Sequence, residues 1–309
     1  MPELPEVETI RRDLLPLLRG RAFTHVWVSP DAHRLVQAVP AGRQAPSAAD
    51  FARLLPGRRV EDVSRRGKFL VFHLSGGLYL LVHLRMTGAL LHRPSGAPPD
   101  RYVRAVLSLD DGSELRFSDL RKFGAFWLVA DPSPVLGKLG PEPLDGGLTP
   151  SLLREVTARR RAPIKGLLLD QRALAGLGNI YADEALFAAG LHPQRPASSL
   201  SDSEVERLHE AIGRVLTAAV EDRGASFRDY VDASGREGLH QFRVQVFRRT
   251  GRPCYVCGRE IARVKVAGRS SHFCPRCQPV VPGEGGLRQV GGLARVRRDA
   301  LVAKPNEVS

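Results

Sequence analysis

The apolar pattern of this chain changes period once, and the change falls across a stretch that can belong to neither regular element. Residues 131 to 150 hold Pro132, Pro134, Pro141, Pro143 and Pro150 together with four glycines, the composition of a linker. Before it, Arg58 to Ser64, Phe69 to Leu74, Leu78 to Leu84, Val103 to Leu109, Glu114 to Phe117 and Ala125 to Val129 are short and apolar. They are broken by turn signals such as Ser75-Gly76-Gly77 and Asp110-Asp111-Gly112, as expected of an antiparallel sandwich. After it, Ser151 to Arg160, Ile164 to Asp170, Ile180 to Ala189 and Ser201 to Glu221 carry helical spacing, the last with Ser201 and Glu204 placed as a capping box. The expected fold class is therefore α+β, with a β-rich domain over 2–131, a linker over 132–150 and a helical domain over 151–241. Residues 3 to 19 form an exception in the first half: Val7, Ile10 and Leu14 predict a helix that Pro16 must bend or end.

Cys254-x-x-Cys257 and Cys274-x-x-Cys277 enclose sixteen residues, the spacing of a four-cysteine site that closes around one structural zinc ion on a β-hairpin, here over 242–277. Nine basic side chains between Arg243 and Arg276 face a single acid, Glu260. The whole chain has 46 Lys and Arg against 33 Asp and Glu, a net charge of +13, which points to a polyanionic partner and first to nucleic acid. No segment approaches the roughly 18 uninterrupted apolar residues of a spanning helix. Glu3, Glu6, Glu8 and Asp13 occupy the place where a signal peptide needs an apolar run, so a cytoplasmic setting without membrane contact is expected. Residues 278–309 are glycine-containing, basic and poor in apolar side chains, and are expected to be a disordered tail.

The chain opens Met-Pro-Glu-Leu-Pro-Glu-Val-Glu-Thr. Removal of Met1 would expose Pro2 as a free secondary amine, able to attack an electrophilic carbon and form an iminium. Pro2 equally suits the first turn of a helix, with Glu3, Glu6 and Glu8 at its positive end. Further on, Lys165-Gly-Leu-Leu-Leu-Asp-Gln171 and Ala175-Gly-Leu-Gly-Asn-Ile-Tyr181 put a glycine-rich turn between two helices, where exposed backbone amides could seat a phosphate. Gly176 and Gly178 could also simply cap a helix.

The opening string resembles the start of the formamidopyrimidine-DNA glycosylases. So do Arg65-Arg-Gly-Lys68-Phe, His83-Leu-Arg-Met86-Thr-Gly, Asp119-Leu-Arg121-Lys122-Phe123-Gly, the glycine-rich turn and Gly268-Arg269-Ser-Ser-His-Phe-Cys274. The resemblance runs from Pro2 to Cys277. It implies a helix-two-turns-helix element in the helical domain and a monomeric base excision repair enzyme of the bacterial cytosol acting on double-stranded damaged DNA. It further implies a glycosylase and abasic-site lyase in which Pro2 is the nucleophile, Glu3 the proton donor and Glu6 a stabiliser of the site, with Lys68 and Arg269 assisting elimination. Met86, Arg121 and Phe123 would fill the gap left by an everted nucleotide. Tyr102, Arg160, Lys165 and Asn179 would contact DNA. The set Met86, Arg121 and Phe123 resembles the branch acting on oxidised purines; the sister branch acting on oxidised pyrimidines is one alternative, and a zinc-containing binder of distorted DNA that does not cut is another. The chain departs from the family pattern in having Tyr102 where a histidine is common and Gly238-Leu-His-Gln241 where Gly-Tyr-Phe-Gln is usual.

Overall fold

A computed structural model describes residues 1–32, 34–37, 48–144 and 146–280. Most of the expected tail, and the stretch 38–47, lie outside these residues. Helix α1 (Leu4–Leu18) runs two residues beyond Pro16, which sits in its last turn, where the helix is about to end in any case. Strand β1 (Phe23–Val28) and helix α2 (Ala48–Leu54) follow, then β2 (Val60–Arg66), β3 (Phe69–Leu74), β4 (Leu78–His83), β5 (Gly88–Arg93), β6 (Val103–Leu109), β7 (Glu114–Asp119) and β8 (Ala125–Val129). They form two four-stranded sheets of order β1-β6-β7-β5 and β2-β3-β4-β8, antiparallel throughout. The sheets pack through their inward alternate positions, with the rings of Phe117 on β7 and Phe126 on β8 meeting edge to face at 4.9 Å.

The second half is helical: α3 (Ser133–Leu136), α4 (Pro150–Ala158), α5 (Ile164–Leu169), α6 (Asn179–Ala189) and α7 (Asp202–Glu221). Thr149 caps α4 through Leu152 N at 3.2 Å, and Ser201 with Glu204 forms the reciprocal box that opens α7. Gly190, at φ +70°, ends α6 in the left-handed conformation that suits glycine. A two-stranded hairpin, β9 (Ala262–Val266) and β10 (Arg269–Phe273), closes the described chain. Residues 222–241, polar and glycine-containing, are ordered by their own hydrogen bonds. Ser226 Oγ accepts from Gly238 N, and the buried Asp232 accepts from Ser234 N and Arg236 N, each at 2.9 Å.

Helix α1 belongs to both halves. Leu4 is buried in the helical core with Leu177, Tyr181 and Leu216, whereas Val7, Ile10 and Leu14 are buried in the sandwich core with Phe23, Val63 and Phe72. The exchange is mutual, because Tyr230 and Ala233, from the loop after α7, pack into the sandwich. The linker is tied down as well. Glu142 accepts from Arg65 Nη1 at 2.6 Å, Arg66 Nη1 at 2.8 Å and Gly67 N, and Arg66 Nη2 donates to the carbonyls of Leu139 and Gly140 at 2.9 and 2.6 Å.

The four cysteine sulfurs lie within 4.8 Å of one another. A tetrahedral zinc–thiolate centre, with Zn–S near 2.3 Å, places sulfurs about 3.8 Å apart, so the quartet fits one structural zinc ion. Chelation of that metal is expected to open residues 251–280 to limited proteolysis while the sandwich stays resistant, and added zinc should restore protection.

Stability should also fall on acidification. Burial raises the Glu8 carboxyl, but bonds and charge from Arg11, Arg12 and Arg65 outweigh it and leave it at about 2; its contribution is present above its ordinary value of 4.5 and lost as pH falls toward 2. Burial likewise holds His83 down at about 3 against an ordinary 6.5, so forcing it to charge weakens the fold progressively across that window. Thermal midpoints measured from pH 7 to pH 3 should decline. Replacing Glu8 by Gln should flatten the lower end of the curve.

Candidate active site

The two halves face each other across a cavity of about 1210 Å³ whose walls include Glu3, Lys68, Met86, Arg121, Phe123, Asn179 and Arg269. Met1 and Glu3 line it, with Pro2 buried between them, because α1 starts at its wall. Leu4 N donates to Gly176 O at 3.0 Å, stitching the N-terminal segment to the glycine-rich turn. The Glu3 carboxylate then sits on the N-terminus of α6, accepting from Ile180 N at 3.0 Å and Tyr181 N at 3.4 Å, where unpaired amides and the helix dipole favour an anion. The phosphate seat read from the sequence is thus taken, at these two amides, by the chain's own carboxylate. Gly178 is needed for that approach: a Cβ there would stand 2.3 Å from Glu3 Cδ.

Glu6 lies one turn deeper. It accepts from Glu3 N at 2.7 Å, from Ala225 N at 2.9 Å and from the Tyr181 hydroxyl. Burial, reinforced by the Glu3 charge, raises the Glu6 carboxyl, and burial raises the Tyr181 phenol well beyond its ordinary range. Gly224, at φ +83°, brings its backbone against the same group, with a Cβ there only 2.9 Å from Glu6 Cγ. Nothing in the sequence sets Tyr181 apart; its ring reads as one more apolar position on α6.

Lys68 occupies the two-residue turn between β2 and β3, after Gly67 at φ +57°. A Cβ on Gly67 would meet that of Ala175 at 3.4 Å, so the hairpin tip rests on the glycine-rich turn and delivers Lys68 beside the carboxylates. Burial lowers the Lys68 ammonium, with nearby Arg269 adding to the effect and Glu3 and Glu6 opposing it. An amine in this state sheds its proton more readily than a surface lysine.

On the opposite wall, Met86 and Phe123 are 39% and 51% exposed. The Arg121 guanidinium lies between them, with Nη1 3.0 Å from Met86 Sδ and the group stacked 4.7 Å from the Phe123 ring centroid. Asn179 opens α6, and its buried Oδ1 has no hydrogen-bond partner among the described residues. Arg269 begins β10 directly after the turn Ala267-Gly268 and is exposed in the cavity wall.

Three expected DNA contacts stand apart from this group. Tyr102 is exposed at φ +59° and Arg160 lies 3.6 Å from Asp170; neither lines the cavity. Lys165 corrects the reading outright: it is fully buried, and its Nζ is engaged by Asp183 and the Ser270 carbonyl. No atom of it is available to a phosphate.

Comparison with known proteins agrees with this architecture. Residues 1–126 match the formamidopyrimidine-DNA glycosylase N-terminal domain, residues 139–230 its H2TH domain, and residues 251–280 the zinc finger found in FPG and IleRS. The formamidopyrimidine-DNA glycosylase of Symbiobacterium thermophilum is 50% identical over 92% of this chain and 91% of its own length. That of Moorella thermoacetica is 51% identical over 86% and 95%. Among solved structures, MutM (FPG) of Thermus thermophilus superposes with a TM-score of 0.78 at 42% identity, covering 91% of this chain and all of that one. Lactococcus lactis Fpg in complex with abasic-site DNA superposes at 0.80 and 34%, covering 90% and all. With all three domains matched in order and curated relatives 50% and 51% identical over most of its length, the chain belongs to the formamidopyrimidine-DNA glycosylase family of base excision repair enzymes.

Proposed function

We propose that this enzyme excises oxidised purines, 8-oxoguanine and formamidopyrimidines, from double-stranded DNA and then cleaves the strand at the resulting abasic site. It would work as a monomer in the bacterial cytoplasm. The observation that carries the proposal is the placement of Glu3: a carboxylate adjoining Pro2, anchored by helix amides at the floor of a cavity rimmed by cations.

In this reading Met1 is removed and the Pro2 amine, neutral near its ordinary α-amino value of about 7.7 to 8.0, attacks C1′ of an everted nucleoside. The new N–C1′ bond replaces the bond to the base, which leaves with the proton that the Pro2 nitrogen gives up. Glu3, after taking a proton from solvent, protonates O4′ as the sugar ring opens and C1′ becomes an iminium carbon. The iminium acidifies C2′–H; loss of that proton expels the 3′ phosphate, and a second elimination expels the 5′ phosphate. Water then releases the sugar fragment and restores the amine. Lys68, poised by burial to give or take a proton, and Arg269 would serve the eliminations, with Glu6 and Tyr181 fixing Glu3 N–H and the start of α1. Met86, Arg121 and Phe123 would occupy the vacated stack, Arg121 bonding the orphaned base, and Asn179 would offer its amide to a phosphate.

Borohydride reduction of protein lacking Met1 on an 8-oxoguanine duplex should yield a covalent adduct; its absence would sink the proposal. Glu3→Gln is expected to lower base release by about 10²- to 10⁴-fold, the usual span for a lost general acid, measured in single turnover. Gly178→Ala, which forces Glu3 off the α6 amides, should slow release by about 10²-fold with little change in duplex affinity. A lesion panel in which oxidised pyrimidines were preferred would reassign the enzyme to the sister branch.

A further inference from the structure

Lys165 and Asp183 form an ion pair from which solvent is wholly excluded, both side chains having 0% exposure and Nζ standing 2.7 Å from Oδ1. Enclosing two charges is a poor way to stabilise a fold, since a packed apolar pair does as well or better. What distinguishes this pair is where its remaining bonds go. Lys165 Nζ donates to the Ser270 carbonyl at 2.7 Å. Asp183 Oδ1 accepts from Ser271 Oγ at 2.9 Å, while Oδ2 accepts from His272 N at 2.9 Å and meets His272 Nδ1 at 3.0 Å. All of these partners are consecutive residues of β10, the strand that Arg269 begins.

The hairpin needs such an anchor. Two isolated strands are marginally stable in water, and the turn before Arg269 holds a non-glycine residue, Ala267, at φ +48°. The cysteine quartet secures only the far end, since Cys274 follows Phe273. Between Cys274 and the turn, the hydrogen bonds from α5 and α6 set both the height and the register of β10, and they stop one residue short of Arg269. Apolar packing would hold the strand but would let it slide along its axis. Bonds to both Asp183 oxygens do not.

We propose that Asp183, together with Lys165, is a positioning residue for Arg269, fixing β10 to the helical domain so that the guanidinium meets a DNA phosphate in the cavity. The proposal rests on the part given above to Arg269 in the eliminations, here exercised through contact with a phosphate beside the lesion. Lys165 therefore influences DNA without touching it.

The test is the salt dependence of affinity for a duplex carrying a tetrahydrofuran abasic analogue, with zinc-loaded full-length protein. Arg269→Gln should make the log–log slope shallower by about 0.9, the value of one phosphate contact. Asp183→Asn should reproduce that loss, and the double variant should be no shallower than either single one. Because Asp183→Asn strands a buried ammonium, Ser271→Ala serves as a milder companion: it should weaken binding in the wild-type background and have no effect in the Arg269→Gln background. A shallower slope in Arg269→Gln, with wild-type slope in Asp183→Asn or additive losses in the pair, overturns the proposal alone. Should Asp183→Asn not fold, additivity of Ser271→Ala with Arg269→Gln overturns it equally. A wild-type slope in Arg269→Gln overturns the role of Arg269 and this proposal with it.

Discussion

The contact between the Glu3 carboxylate and the first amides of α6 is the point on which the molecule turns. It joins the N-terminus of the chain to the helical domain, orients α1 and sets the floor of the cavity. A carboxylate at a helix N-terminus gains from the dipole and from amides that otherwise lack partners. Here it also fixes where the sandwich sits, because α1 leaves this point to bury Val7, Ile10 and Leu14 against the sheets. The geometry proposed for catalysis and the domain arrangement therefore share one interaction.

Three glycines make that interaction possible. Gly176 accommodates Leu4, Gly178 accommodates Glu3 and Gly224 accommodates Glu6, each at a distance that a Cβ would reduce below 3.0 Å. On the other side, Glu142 gathers Arg65, Arg66 and the Gly67 amide, so the hairpin tip bearing Lys68 is held from the linker. The proline-rich stretch between the domains thus acts less as a tether than as a bracket.

Much of this was legible beforehand. Short apolar stretches marked six of the eight sandwich strands to within a few residues and passed over β1 and β5, Ser201 and Glu204 marked the start of α7, and the cysteine spacing identified the metal-binding hairpin. What the pattern could not convey was long-range pairing. Lys165 and Asp183 look like ordinary helix-surface residues, and only the packing of β10 over α5 and α6 buries them. The glycine-rich turn reads as an anion seat, and it is one, but its anion comes from residue 3. The side-chain bonds of Ser226 and Asp232 fold the stretch 222–241, and such local bonds leave no periodic trace in the sequence.

The stacking of Arg121 between Met86 and Phe123 has a consequence for search along DNA. Side chains meant to enter a duplex face a dilemma in free protein, because apolar groups shown to water invite aggregation and mobile ones lose entropy on insertion. In the role proposed for them, the three, already stacked on one another, would present a ready-made plug whose internal contacts stand in for those of a base. Entry into the helix would then exchange one stack for another, and an undamaged pair that resists the exchange would be left behind with little energy spent in asking.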